Sequence, residues 1–366
     1  MCYSLLACVY ASAEPKSFHF GVQDLKDRFF FPGHSFVCNI KPMKAFLLED
    51  SDGRARGSVC EVGEDALGEG DVLIRAEYSS VNYKDGLAAS GKAPIARSLP
   101  LVGGCDVSGV IEDPGSSNLA LGTAVTVTGA SLSEKHPGGY CEYVRVPASW
   151  VTPLPQGMDT WTASAFGTAG YAAALAVHKL NAVGLPDGPV AVTGASGGAG
   201  LLATALLSGA GREVIAFSRK ESAVELLRKA GAAEVTSYPD FGTRPLEKSR
   251  WAGAVDVVGG PTLDWVLRSA GTGASVAVIG NATGNKLQTN VLPLILRGVN
   301  VLGVSVTFLP DQLRAKLWGD LLEGVDRALL QTLAQTVALD QVGQALEQIS
   351  EGNALGRTVV RIGGNC

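Results

Sequence analysis

Residues 189–222, PVAVTGASGGAGLLATALLSGAGREVIAFSRKES, set Gly194, Gly197 and Gly200 at a G-x-x-G-x-x-G spacing between an apolar run and a helix of small residues. Val190–Thr193 reads as a buried strand and Leu201–Leu207 as a helix, so the glycines lie at a strand-to-helix turn. A turn without side chains lets the backbone bend sharply, approach a pyrophosphate and aim helix N-terminal amides at its charge. Ser196, Gly198 and Ala199 line the same turn. Glycine-rich loops also close turns of no chemical consequence, so the spacing alone is a weak signal.

The following strand, Glu213–Phe217, sits at a βαβ distance of roughly 20 residues, where a ribose-reading group belongs. It ends in Ser218, Arg219 and Lys220. A carboxylate there would accept from a free 2′-hydroxyl; a 2′-phosphate of about two negative charges asks instead for guanidinium, ammonium and hydroxyl donors. NADPH is therefore the expected cofactor. Ser218 with Glu221 also spells an S-x-x-E capping box for a helix Glu221–Ala230 that stops at Gly231, and such a cap leaves Arg219 and Lys220 pointing outward, so both readings can hold.

The elements that must position this loop follow from the rest of the chain. With 366 residues, 46% apolar and 18% charged, there is room for two domains and ample core. A net charge of −5, without a basic run interleaved with aromatics, excludes a nucleic-acid surface and points to a small-molecule partner. No apolar run reaches the roughly 20 residues that span a bilayer, and a cytoplasmic protein is expected. The seven cysteines (2, 8, 38, 60, 105, 141 and 366) contain no C-x-x-C pair, so no disulfide framework or zinc cluster is expected and Cys105 reads as a core thiol.

Residues 1–42 read as an extension outside the fold, which opens at Met43. A signal peptide would fit Ala11-Ser12-Ala13, but its basic leading region is missing. From residue 43 to 160, short strands punctuated by glycine and proline predict a β-rich domain. From residue 161 to 318, helices alternate with buried strands (Val190–Thr193, Val214–Phe217, Ala254–Val258, Ser275–Ile279, Val299–Val304), the pattern of a doubly wound parallel α/β sheet. An amphipathic helix around Gln312–Leu322 precedes a tail, residues 319–363, whose last helix and strand are expected to return to the first domain.

SSVNYKD, GCDVSGVI, FGTAGYAA, VTGASGGAG, RPLEKSRWAGAVDVVGG and LPLILRGVNVLGV, in this order, resemble the zinc-independent quinone-oxidoreductase branch of the medium-chain dehydrogenase/reductases, and within it the acrylyl-CoA reductase group. The similarity runs from Met43 to about Ile362. It implies a GroES-like catalytic domain, a Rossmann domain, NADPH, no metal, and reduction of a carbon-carbon double bond conjugated to a carbonyl; relatives are commonly dimers. It also implies that Tyr83 of N-Y-K-D lies beside the nicotinamide, that Gly280, Asn281 and Ser305 flank the nicotinamide half, and that Asn353 belongs to a C-terminal cofactor contact. Thr168 opens a helix at the domain junction, where its amide can face the cofactor or cap the helix.

Hydride delivery to the β-carbon of an enoyl thioester throws negative charge onto the carbonyl oxygen, so the site needs donors at that oxygen and a proton for the α-carbon. Tyr83 can donate from a neutral phenol, and Asn82 offers an amide for orientation. Asp85 or Lys84 can tune the tyrosine or join a proton relay, or form a solvated ion pair in a strand-end turn. Asp106 reads as a hydrogen-bonded structural acid, His136 as an exposed loop residue and His178 as a satisfied core residue. The expected activity is NADPH-dependent reduction of acryloyl-CoA. A quinone or 2-alkenal reductase and a non-catalytic NADPH-binding protein are the alternatives, and the scattered Lys92, Arg97 and Arg297 do not decide among them. The apolar stretch VNVLGVSVTF suits either an edge strand joining two subunits of a homodimer or a buried strand.

Overall fold

In the computed structural model, which describes residues 41–363, the strands form three sheets, and the two larger ones share one long helix. All but the last two residues of the extension expected at 1–42 lie outside the described residues. The first part of the chain supplies β1 (Met43–Ser51), β2 (Arg54–Val62), β3 (Val72–Ser80), α1 (Tyr83–Ala89), β4 (Leu101–Val102), β5 (Asp106–Asp113), β6 (Ala124–Thr128), β7 (Tyr143–Val146) and β8 (Thr152–Pro153). Their inward residues, Ile74, Val107, Val125 and Val144 among them, alternate with outward ones and close a β-rich core. N-Y-K-D does not stay in a strand-end turn: it opens helix α1.

Then come α2 (Thr160–Val183), β9 (Val190–Val192), α3 (Gly198–Gly209), β10 (Val214–Phe217), α4 (Val224–Lys229), β11 (Glu234–Thr236), β12 (Trp251–Asp256), α5 (Gly260–Arg268), β13 (Ala270–Val278), α6 (Leu292–Arg297) and β14 (Asn300–Gly303). The strands form a sheet of order β11-β10-β9-β12-β13-β14, all parallel, with Ala191 of β9 opposite Ile215 of β10 and Ala254 of β12. The order reverses between β9 and β12, and ligands of such sheets bind outside the carboxyl ends of the strands at that switch point. Apolar residues cover both faces. Leu201, Leu202 and Tyr171 pack on one side, and Trp251, Trp265 and Phe217 on the other, each large buried side chain contributing roughly 1.5–3 kcal/mol.

The chain ends with α7 (Asp311–Gly324), α8 (Arg327–Leu333), β15 (Ala334–Ala338), α9 (Val342–Ser350) and β16 (Arg357–Arg361). Residues 319–333, expected with the first domain, pack instead with the second: Leu321, Leu330 and Leu333 enter the core in which the preceding Trp318 stacks on Tyr171 at 5.5 Å. The return comes at β15 and β16. β16 pairs antiparallel with β3, setting Val359 opposite Ser80.

Helix α2 carries the junction. Asp159 caps it by accepting from the Thr162 amide at 2.7 Å, and its small residues let both domains approach closely. It breaks at Gly167, whose φ of +50° ends one helical run and lets another start at Thr168.

Candidate active site

At the end of β3 the chain presents Ser79 and Ser80 to the interior, then Asn82 at the start of α1. The Asp85 carboxylate, one turn later and buried, folds back to accept from the Asn82 amide at 3.1 Å. It also takes the Cys105 amide at 3.0 Å, the Cys105 thiol at 3.4 Å and the Tyr140 hydroxyl at 3.4 Å. Asp106, the next buried acid, accepts from the Ser80 hydroxyl at 2.5 Å, the Asn82 side-chain amide at 2.8 Å, and the Thr168 amide and hydroxyl at 2.9 and 2.6 Å. Thr168 thus spends its amide on Asp106, which caps the second run of α2 from outside that helix.

Opposite these acids lies Arg357, buried at the start of β16. Its guanidinium donates to Ala165 O at 2.8 Å, Val81 O at 3.0 Å and Asn82 Oδ1 at 3.3 Å. Two glycines make room for it. A Cβ on Gly167 would lie 2.5 Å from Ser80 Oγ, 2.7 Å from Asp106 Oδ2 and 2.8 Å from Arg357 Nη2, and one on Gly198 would lie 2.6 Å from Arg357 Cδ. One arginine therefore touches the cap of α1, the break in α2 and the start of α3.

Burial raises the Asp85 carboxyl to about 6, with Lys84 pulling it down and Asp106 pushing it up. Burial likewise lifts the Cys105 thiol and the Tyr140 phenol well above their ordinary values, so both stay protonated donors. Lys84 pairs with Glu134 at 2.8 Å; burial opposes its charge, but the surrounding acids win and raise its pKa. Outside this buried set stands Tyr83, 37% exposed, whose phenol has no hydrogen-bond partner among the described residues.

Across the junction the glycine loop follows the carboxyl end of β9. Gly194 holds φ at +56°, and a Cβ there would meet Val258 Cγ1 at 2.8 Å. A Cβ on Gly200 would meet Gly194 O at 2.6 Å, so the turn tolerates no side chain at either end of the motif. The Gly194 amide donates to the Tyr238 hydroxyl at 2.7 Å. Gly197, Gly198 and Ala199 are half-exposed at the start of α3, where first-turn amides have no intrahelical acceptor, while Ser196 is buried. This turn can hold a pyrophosphate.

At the carboxyl end of β10, Ser218 is buried and accepts from the Lys220 amide at 3.1 Å, a local turn in place of the expected capping box. Arg219 is exposed and has no partner among the described residues, whereas the Lys220 ammonium donates to Ala354 O. Gly280 and Asn281 follow β13, with Gly280 so close to β12 that a Cβ would lie 2.2 Å from Val257 O. Ser305 is exposed beyond β14, and Asn353 is exposed between α9 and β16, donating to Glu351 at 3.2 Å.

The two histidines among the described residues, His136 and His178, sit otherwise than expected. His136 is half-buried between Glu69 O at 2.6 Å and the Trp150 ring, and His178 is half-buried in a cleft with Asn181, Lys316 and Asp320. Among the described residues, no group of three or more His, Cys, Asp or Glu could hold a metal ion. Arg357, Tyr140 and Tyr238 carry no motif. An arginine opening the terminal strand RTVVRI ahead of its apolar Val359 and Val360 was the one available signal for the first of them.

Comparison with known proteins agrees with this geometry. Residues 68–156 match the family described as Alcohol dehydrogenase GroES-like domain, and residues 198–320 the family described as Zinc-binding dehydrogenase. The chain is 37% identical over 319 residues to Acrylyl-CoA reductase AcuI of Ruegeria pomeroyi, covering 86% of this chain and 97% of that one. It superposes on the structure of Escherichia coli K-12 YhdH with bound NADPH with a TM-score of 0.85 at 39% identity, and on Bacillus subtilis YhfP with NAD bound with a TM-score of 0.84 at 35% identity. The match takes in 87% and 88% of this chain, respectively, and 100% of each solved chain. With a GroES-like sheet, a Rossmann sheet and a site built at their junction, the chain belongs to the medium-chain dehydrogenase/reductase family, in its quinone oxidoreductase-like, acrylyl-CoA reductase group.

Proposed function

We propose that the chain is a zinc-independent, NADPH-dependent reductase that saturates the double bond of acryloyl-CoA to give propanoyl-CoA. The observation that carries this reading is the exposed Tyr83 phenol at the start of a helix whose N-cap, Asn82, is joined through Arg357 to the glycine loop. The glycine-rich turn fits the pyrophosphate of NADPH, and Ser218, unpartnered Arg219 and Lys220 fit its 2′-phosphate. Gly280, Asn281, Ser305 and Asn353 would border the rest of it, and the bound cofactor supplies the hydride.

The work of this chain's own residues follows from their partners. Tyr83 Oη is free to donate to the thioester oxygen, where charge develops in the transition state. Asn82 cannot reorient: its amide nitrogen is held by Asp106 and its oxygen by Arg357. Asp85 fixes the first turn of α1 through the Asn82 amide, so Asn82 and Asp85 act by positioning Tyr83.

A second reading, an NADPH quinone or 2-alkenal reductase, would use the same phenol. It is favoured by the engagement of Arg297 with three backbone carbonyls and of Lys92 with Ser350, which leaves only Arg97 of that trio for the phosphates of CoA. Initial rates of NADPH oxidation with acryloyl-CoA, crotonoyl-CoA and a benzoquinone separate the two. Preference for acryloyl-CoA supports the thioester assignment, quinone turnover with little thioester activity overturns it, and no turnover with any acceptor leaves a binding protein.

We further propose a homodimer joined along β14, the edge strand of its sheet. Around it Val301, Ile295, Leu296 and Phe308 are exposed, at 45%, 68%, 63% and 74%. A cytoplasmic setting fits the free thiols of Cys60, Cys105 and Cys141; among the described residues, no helix is long and apolar enough to cross a membrane.

A further inference from the structure

Two neighbouring cations at the end of β10 are used differently. Arg219 projects outward with no partner among the described residues, whereas Lys220 is half-buried and donates a hydrogen bond to Ala354 O, 134 residues away. Ala354 lies in the segment Glu351–Gly356 between α9 and β16. At its start this segment is held by its own helix, where the Asn353 and Ala354 amides donate to Gln348 O at 2.8 and 3.3 Å. At its end the Gly356 amide donates to Ser196 O in the glycine loop at 2.9 Å. The next residue is Arg357, whose guanidinium holds Asn82.

We propose that Lys220 is a positioning residue: it fastens the segment Glu351–Gly356 over the glycine loop and so couples the adenosine end of the cofactor site to Arg357 and, through Asn82, to Tyr83. This inference rests on the NADPH reading above. An ammonium has three N–H donors, so one given to Ala354 O leaves two for the 2′-phosphate, and the same side chain bridges the phosphate and the segment. Burial, and then Arg219, lower the Lys220 pKa, so a carbonyl and an incoming phosphate both serve to hold its proton. The two cations divide the labour: Arg219 reads the phosphate, and Lys220 holds the segment.

The test compares Lys220→Met, Lys220→Arg and Arg219→Gln in the full chain by two readouts. Hydrogen exchange in the cofactor-free protein is expected to speed up roughly fivefold at the amides of residues 353–356 in Lys220→Met, to return toward the parent rate in Lys220→Arg, and to stay at the parent rate in Arg219→Gln. In steady state, Lys220→Met is expected to lower kcat several-fold with NADH, which has no 2′-phosphate for Lys220 to bind, as well as with NADPH. Arg219→Gln raises KM for NADPH alone. Unchanged exchange in Lys220→Met overturns the proposal, and so does a kinetic defect confined to KM for NADPH, which would make Lys220 a phosphate ligand only. Exchange needs no turnover; should no acceptor be reduced, NADH affinity measured by its fluorescence replaces kcat, so a wrong acceptor assignment and a wrong role for Lys220 give different results.

Discussion

Arg357 Nη1 lies 3.3 Å from Asn82 Oδ1, joining two residues 275 positions apart in the sequence. The contact locks the start of α1 to β16 and, through the packing of Arg357 against Gly198, to α3. Arg357→Lys keeps a charge but loses the fork that reaches Ala165 O, Val81 O and Asn82 together. Because Asp106 and Asp85 would remain buried with poorer compensation, a loss of about 3 kcal/mol is expected in urea unfolding. A loss below about 0.5 kcal/mol would show that the guanidinium is not the hub of the junction.

Asp85 makes stability depend on pH in a defined direction. Its folded carboxyl titrates at about 6, above the unfolded value of about 3.9, so the native state holds the proton more tightly. Between those two values the native state binds more protons than the unfolded state, and stability falls as pH rises. Asp85→Asn removes this dependence. The parent is expected to lose up to about 3 kcal/mol relative to the variant between pH 4 and pH 7, as read from paired unfolding curves. Parallel curves for the two proteins would contradict the burial of this charge.

Tyr83→Phe removes one exposed hydroxyl and no packing. Stability should change by less than about 0.5 kcal/mol. The turnover number is expected to fall roughly a hundredfold, with KM for NADPH nearly unchanged, because the lost hydrogen bond forms only as charge reaches the carbonyl oxygen. A rise in KM with kcat preserved would instead make the phenol a platform for cofactor binding.

The apolar edge of the second sheet predicts the oligomeric state. Light scattering should give twice the chain mass, and Ile295→Asp with Val301→Asp should give a monomer that keeps its unfolding transition, since both side chains are exposed on the single chain. A monomeric parent would remove the need for a partner at β14.

The parts legible in the sequence were those set by neighbouring residues. The glycine turn announces itself because Gly194 and Gly200 admit no Cβ, and the cation pair after β10 stands at a fixed distance from it. The parallel sheet shows through its buried strands for the same reason. What was hidden depends on long-range packing. The break in α2 lies inside an alanine-rich run that reads as one helix, and only the approach of Ser80, Asp106 and Arg357 explains Gly167. Asp85 looks like a solvated charge in a turn until Cys105 and Tyr140 enclose it. Residues 319–333 went to the second core because Leu321, Leu330 and Leu333 join its apolar cluster, a packing that no local pattern encodes.

The central claim is hydride delivery to the β-carbon of an enoyl thioester at the Tyr83 face of the junction. The most direct measurement uses NADPH deuterated at the transferring position of the nicotinamide with acryloyl-CoA, followed by mass spectrometry and NMR of the product. Propanoyl-CoA carrying one deuterium at its β-carbon, formed at a rate that Tyr83→Phe lowers roughly a hundredfold, is the predicted result. Deuterated cofactor consumed without label in the thioester, or label arriving at the same rate in Tyr83→Phe, would contradict it.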